Sequence, residues 1–208
     1  LTAAEKQAGW KRLFVGEALN GWRGFKKPGP PAQGWEIKDG ALTCVKGAKG
    51  GDLITDQTFD NFEFSWEWKM PPKSNNGVKY FITEERNAAV GHEYQLLDDV
   101  LAKGHAESGC ASFYLVGAPD PARMKLKPWG EWNHSRIVVQ SDHVEHWLNG
   151  QKVLEYECGD PKILAKVAET KFNKTEGFGK KLKGHLLLTY HNDECSFRNL
   201  KLRELPAR

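Results

Sequence analysis

The chain has 208 residues, 39% hydrophobic and 27% charged, with 30 basic against 27 acidic side chains and a net charge of +3. No run reaches the ~18 apolar residues of a membrane helix, and the basic residues are scattered among acidic ones, so neither a helical membrane span nor a nucleic-acid partner is expected. Cysteines at 44, 110, 158 and 195 form no CxxC pair, which excludes a familiar zinc spacing and a dense disulfide scaffold but leaves open both isolated disulfides and buried thiols.

In chain order, Leu1-Thr2-Ala3-Ala4-Glu5-Lys6 reads as a short polar lead-in, such as begins a mature chain, and not as a targeting sequence. The only long helix candidate, Thr2 to Leu13, is expected to be a short N-terminal turn. Pro and Gly cluster from Lys27 to Gly34 and from Pro119 to Gly130, in stretches too short to separate domains. Phe62 to Lys69 alternates apolar and polar residues over eight positions, the mark of a half-buried antiparallel strand. Its Trp66 and Trp68 continue the apolar stripe of Phe62 and Phe64 and are core residues. A turn-prone Ser74-Asn75-Asn76-Gly77 precedes a strand over Val78 to Thr83, and another runs from His92 to Leu97.

Further strands follow at Arg136 to Val139, Val144 to Leu148, Gln151 to Leu154, Leu186 to Leu188 and Phe197 to Leu202. Asn149-Gly150 between two of them marks a type I′ hairpin, because both central residues of that turn need positive φ. A short helix is expected near Pro161 to Val167. Roughly ten to thirteen strands from end to end, with no internal repeat, predict one all-β domain over residues 1–208, built as a β-sandwich of two antiparallel sheets packed face to face.

Several phrases then carry a resemblance. They include Leu13-Phe14-Val15-Gly16-Glu17-Ala18-Leu19-Asn20-Gly21-Trp22, Trp35-Glu36-Ile37-Lys38-Asp39-Gly40, Gly51-Asp52-Leu53-Ile54-Thr55, Asn76-Gly77-Val78-Lys79-Tyr80, Glu93-Tyr94-Gln95-Leu96-Leu97-Asp98, Lys127-Pro128-Trp129-Gly130-Glu131-Trp132-Asn133 and Phe197-Arg198-Asn199-Leu200-Lys201. In order and spacing, from about Trp10 to Leu205, these resemble the 3-keto-disaccharide hydrolase-like family of bacterial secreted proteins. The resemblance implies a concanavalin-A-like jelly-roll β-sandwich, export to the periplasm or cell surface, a carbohydrate substrate, and hydrolysis of glycosides oxidised at carbon 3. One departure is Thr189-Tyr190-His191-Asn192, where the family often carries Gln-Asp-His-Gly; His191 is kept and its neighbours are not.

Glu93, Gln95 and Asp98 lie at E-x-Q-x-x-D spacing. On a strand Glu93 and Gln95 share a face, and Asp98 joins them only if a bulge shifts the pleat. Laminarinase-type sandwiches use a similar E-x-D-x-x-E strand for nucleophile and acid, but here the middle residue is an amide. A 3-keto sugar permits an easier route. The ketone acidifies the proton on carbon 2, a base removes it, the aglycone leaves from carbon 1, and water adds to the enone. Glu93 is the favoured base, Lys79 or a bound divalent cation the electrophile for the enolate oxygen, and His105 and His191 the candidate acid–base groups or metal ligands. Glu93, Asp98 and His105 are a candidate metal set, although their spacing follows no familiar metal signature. Tyr80, Trp129 and Trp132 are candidate sugar-stacking platforms, while His134, His143 and His146 are assigned no role. The competing readings are a non-catalytic carbohydrate-binding module, a plain retaining glycosidase, and a structural domain.

Overall fold

The computed structural model describes residues 1–207. Its strands are β1 (Lys11–Arg12), β2 (Trp22–Gly24), β3 (Trp35–Lys38), β4 (Ala41–Cys44), β5 (Leu53–Thr55), β6 (Phe62–Lys69) and β7 (Asn75–Ile82), followed by β8 (His92–Leu97), β9 (Asn133–Gln140), β10 (His143–Leu148), β11 (Gln151–Glu157), β12 (His185–Leu188) and β13 (Cys195–Glu204). Two helices, α1 (Ala3–Gln7) and α2 (Pro161–Ala168), and two 3-10 turns lie outside the sheets. Every pairing is antiparallel. An eight-stranded sheet runs β11-β10-β9-β6-β13-β4-β3 with β1 beside β13, and a five-stranded sheet runs β2-β5-β12-β7-β8. Consecutive hairpins (β3-β4, β7-β8, β9-β10-β11) are joined in each sheet by strands from distant parts of the chain, as in a jelly roll.

The N-terminal helix is a single capped turn, with Thr2 and Glu5 forming a capping box. The Asn149-Gly150 hairpin takes the expected positive φ at both positions, 46° and 82°. Inward residues of the large sheet, Phe62, Phe64, Trp66, Trp68 and Phe197, meet Val78, Tyr80, Tyr94, Leu186 and Leu188 of the small one. The alternation of β6 is therefore real, but the strand is more than half-buried. It lies at the centre of its sheet, and its outward Glu63 is sunk between Arg136 and Arg203, accepting hydrogen bonds at 2.7 Å from each.

Local turn propensity is overridden at one place. Asn75, Asn76 and Gly77 are not a turn; they open β7, each opposite a residue of β8 (Leu97, Leu96 and Gln95 respectively). Farther along β7 the pairing with β12 shifts register, and Phe81 sits at φ 60°. This bulge turns Phe81 into the core beside Tyr80 and sends Ile82 to the outer face, where it joins Ile54 and Leu187.

All four cysteines are buried free thiols. Cys44 and Cys195 are Cα partners across β4 and β13. Burial pushes the Cys44, Cys110 and Cys158 thiols up to about 12.

Candidate active site

The chemistry-bearing residues gather on the outer face of the five-stranded sheet. Pleating sends His92, Tyr94 and Leu96 of β8 into the core, so Glu93 and Gln95 point the other way. Lys79 is the Cα partner of Glu93, and Gly77 is the partner of Gln95. A lateral row runs Ile54, Leu187, Lys79, Glu93 across β5, β12, β7 and β8. The segment after β8 returns as an edge beside it, with Tyr114 N–H donating to the Glu93 carbonyl and Gln95 N–H to the Ser112 carbonyl.

Gly77 makes room for the Glu93 side chain. A Cβ at this position would collide with the carboxylate, coming within 2.9 Å of Glu93 Cδ and closer still to Oε1. The carboxylate thus lies across the backbone of β7. Desolvation there raises the Glu93 carboxyl above the usual range, and the charge of Asp52 adds to this; Lys79, His191 and Lys171 pull it back down.

His191 reaches the same face from the loop after β12. Gln95 Nε2 donates to Asn75 Oδ1 at 3.3 Å, and Asn75 Nδ2 donates to His191 Nε2 at 3.2 Å. An amide nitrogen can only donate, so His191 Nε2 is the acceptor and the ring proton sits on Nδ1. The loop is pinned from both sides. Asp193 accepts the Asn75 N–H at 3.0 Å, and Asp52 accepts the Tyr190 N–H at 2.8 Å. Asn192 has φ 64°, the left-handed conformation that the family's usual glycine takes freely, and Asn is among the residues that tolerate it.

Other expected site residues lie elsewhere. Strand β8 ends regularly at Leu97, with no bulge to bring Asp98 onto the face of Glu93. Asp98 instead caps a 3-10 turn, taking the N–H groups of Val100 at 3.2 Å and Lys73 at 2.8 Å. His105 is exposed at the start of the next 3-10 turn, facing Glu107 at 3.6 Å. Glu93, Asp98 and His105 are therefore not drawn together as a metal set. Among the described residues, one group of His and carboxylates is close enough to share an ion: His143, Glu145 and Glu155 on the other sheet. The Lys152 ammonium already lies 3.3 Å from Glu145 and 2.6 Å from Glu155.

Tyr80 is fully buried, its hydroxyl bonded to His146 at 2.8 Å and Tyr156 at 2.7 Å, and so cannot offer its ring to a sugar. Trp129 packs against Trp68, and Trp132 lies under Lys69 and Arg198 on the eight-stranded sheet. His146, given no role from sequence, belongs to the core network. Sequence reasoning passed over Asp52, Asn75, Tyr114 and Lys171, of which Lys171 stands 4.9 Å over the Tyr114 ring. Of these only Asp52 had a signal, since it lies within a phrase carrying the resemblance.

The fold and this face define a class: a jelly-roll β-sandwich that gathers a carboxylate, an ammonium and an imidazole on one sheet face. The sequence profile of the 3-keto-alpha-glucoside-1,2-lyase-like domain matches residues 9–203, and the chain belongs to that family. It is 28% identical over 232 residues to a 3-keto-disaccharide hydrolase of Bacteroides thetaiotaomicron, covering 95% of this chain and 79% of the relative. A solved candidate glycosyl hydrolase of Parabacteroides distasonis superposes with a TM-score of 0.87 at 28% identity, covering 99% of this chain and 98% of that one. A Bacillus subtilis protein with a galectin-like fold matches at a TM-score of 0.56 and 15% identity over 96% of both chains, a likeness of fold alone. The concanavalin-A-like sandwich implied by the resemblance is thus the observed fold. Among the described residues no helix is long and apolar enough to cross a membrane.

Proposed function

We propose that this protein cleaves glycosides whose sugar is oxidised at carbon 3, by elimination and then hydration, with Glu93 as the base. The observation that carries the reading is the Glu93 carboxylate, desolvated over Gly77 and paired in register with Lys79. Burial makes it a stronger base than a solvated carboxylate, matched to removing a proton that the neighbouring ketone has acidified. The Lys79 ammonium is the electrophile that takes up negative charge on the enolate oxygen. The proton on carbon 2 passes to Glu93, the carbon 1–oxygen bond breaks, and its electron pair leaves with the aglycone. His191 Nδ1–H supplies a proton to that oxygen, and water then adds to the enone. The names borne by the relatives support this substrate class. The same reading carries an exported setting, because glycan fragments are met outside the cell.

Glu93→Gln removes the base while keeping the shape. Turnover of a 3-keto-glucoside is expected to fall by a factor of 10² or more, on the order of the contribution of general base catalysis, with an unchanged circular dichroism spectrum. Full activity in that variant would take Glu93 out of the mechanism. Release of aglycone from an unoxidised nitrophenyl glycoside would favour a plain glycosidase, and saturable glycan binding with no turnover a binding module.

A further inference from the structure

The outer face of the five-stranded sheet is polar at β7 and β8, apolar at β5 and β12, and carries at β2 the Arg23 guanidinium, paired with Glu84 and Asp56. The lateral row completed across all five strands reads Arg23, Ile54, Leu187, Lys79, Glu93. With strands about 4.8 Å apart, Ile54 lies about 14 Å from Glu93, so a substrate laid along this row with its sugar ring over Lys79 would extend its leaving group toward β5. There Ile54, Ile82 and Leu187 form an apolar cluster separate from the main core, flanked by Phe25 and Ala89.

Beside this cluster opens a groove of about 820 Å³, lined among others by Phe25, Pro28, Pro30, Pro31, Ala89 and Asp52. Asp52 joins the groove to the candidate site, because it lines the one and its charge acts on Glu93 in the other. Two uncharged or anionic polar groups of the groove are engaged within the protein. Asp52 Oδ1 accepts from Tyr190 N–H at 2.8 Å, and Gln33 Nε2 donates to the Lys49 carbonyl at 3.4 Å. A second hexose would bring several hydroxyls into a place with few partners for them, at a cost for each one left unsatisfied. A flat aromatic ring needs only apolar faces, which phenylalanine and proline supply. Two ammonium groups, Lys27 and Lys49, also line the groove and complement the negative charge of a departing phenolate.

We propose that this groove receives the leaving group of the substrate and that it is shaped for an aromatic aglycone instead of a second sugar. The inference rests on the reading of Glu93 as base in an elimination. When the carbon 1–oxygen bond breaks, its electron pair departs on a phenol oxygen, whose pKa of about 10, like that of tyrosine, makes it a far better leaving group than a sugar alcohol. The proton taken by Glu93 and the one later returned to the phenolate balance the step, and water supplies the oxygen added at carbon 1.

Wild type, Phe25→Ala and Pro28→Asp are assayed with 4-nitrophenyl 3-keto-glucoside and with a 3-keto-glucosyl-glucose. Thermal melting is followed in parallel, because Phe25 packs on the apolar cluster whereas Pro28 is exposed. Both variants are expected to lower kcat/KM for the aryl substrate about tenfold relative to the disaccharide, chiefly through KM, as loss of one apolar contact surface does. Equal losses on both substrates in the folded Pro28→Asp variant, or a wild type that prefers the disaccharide, would overturn the aromatic assignment while leaving the elimination reading intact. No turnover of either substrate by the wild type would remove both.

Discussion

Single side chains set the acid–base properties of the candidate site. Desolvation raises the Glu93 carboxyl, and the Lys79 ammonium across the strand pair is the first of the charges that lower it again. Replacing Lys79 with Met removes the lowering charge, so Glu93 holds its proton to a higher pH. The acid limb of kcat/KM is expected to move to higher pH in Lys79→Met, because the charge that favours the ionised carboxylate is gone. A pH–rate profile measures this, and an unmoved limb would mean that the titrating group is not Glu93 beside Lys79. The histidine loop shows the same economy. Asn192 takes the left-handed conformation in this loop, and His191 lies within reach of Asn75.

At the scale of elements, β7 does more than its sequence announces. Its first three residues have turn composition, yet they pair with β8 and supply the floor under Glu93. Gly77 is there for space, since its φ is not in the left-handed region. Gly77→Ala should therefore leave the strand intact, because the nearest colliding atoms are the end of a flexible side chain, while pushing the carboxylate aside. Activity is expected to drop about a hundredfold, the scale of a 1 Å misplacement of a catalytic group, with a melting temperature within a few degrees of wild type. A fully active Gly77→Ala would show that the carboxylate need not lie over β7. The bulge at Phe81 serves the opposite side of the sheet face by delivering Ile82 to the apolar cluster.

Across the whole molecule, the two layers are tied by a buried chain of hydrogen bonds whose direction is fixed at both ends. Gly179 N–H donates to His92 Nε2 at 3.0 Å, and His146 Nδ1 lies 2.9 Å from the Ala111 carbonyl, to which it must donate. His92 Nδ1 therefore donates to Tyr156, Tyr156 to Tyr80, and Tyr80 to His146 Nε2. Both imidazoles are neutral in this chain, and burial lowers the proton affinity of each, that of His146 from 6.5 to about 4. The unfolded chain binds the His146 proton near pH 6.5 and the folded one only near pH 4, so stability falls as pH drops through that window, and His92 acts in the same direction. His146 alone accounts for roughly 3 kcal/mol of the loss. Urea titrations from pH 7 to 4 measure it, and a flat stability across that range would show that His146 is not buried neutral. Tyr156→Phe breaks the chain in the middle and is expected to cost about 1–3 kcal/mol, as buried partners are left unpaired.

The sequence by itself determined the all-β class, the strands of strong alternation, the type I′ hairpin and the shared face of Glu93 and Gln95, because each depends only on residues a few positions apart. It also marked Lys79, through a phrase that carries the family resemblance, and His191, which stays in place where its neighbours depart from the family. It could not assign neighbours across strands. Asp98, three residues from Gln95, ended as a turn cap, while His191, 96 positions further on, came to within one side chain of it. Tyr80 looked like a platform because alternation alone does not say which face meets the second sheet. That is decided only when β12, β7 and β8 pair in register and the eight-stranded sheet covers one side. The same pairing places Lys79 beside Glu93 and the apolar groove beyond Leu187, because lateral rows across a sheet are built from segments that lie far apart in the chain.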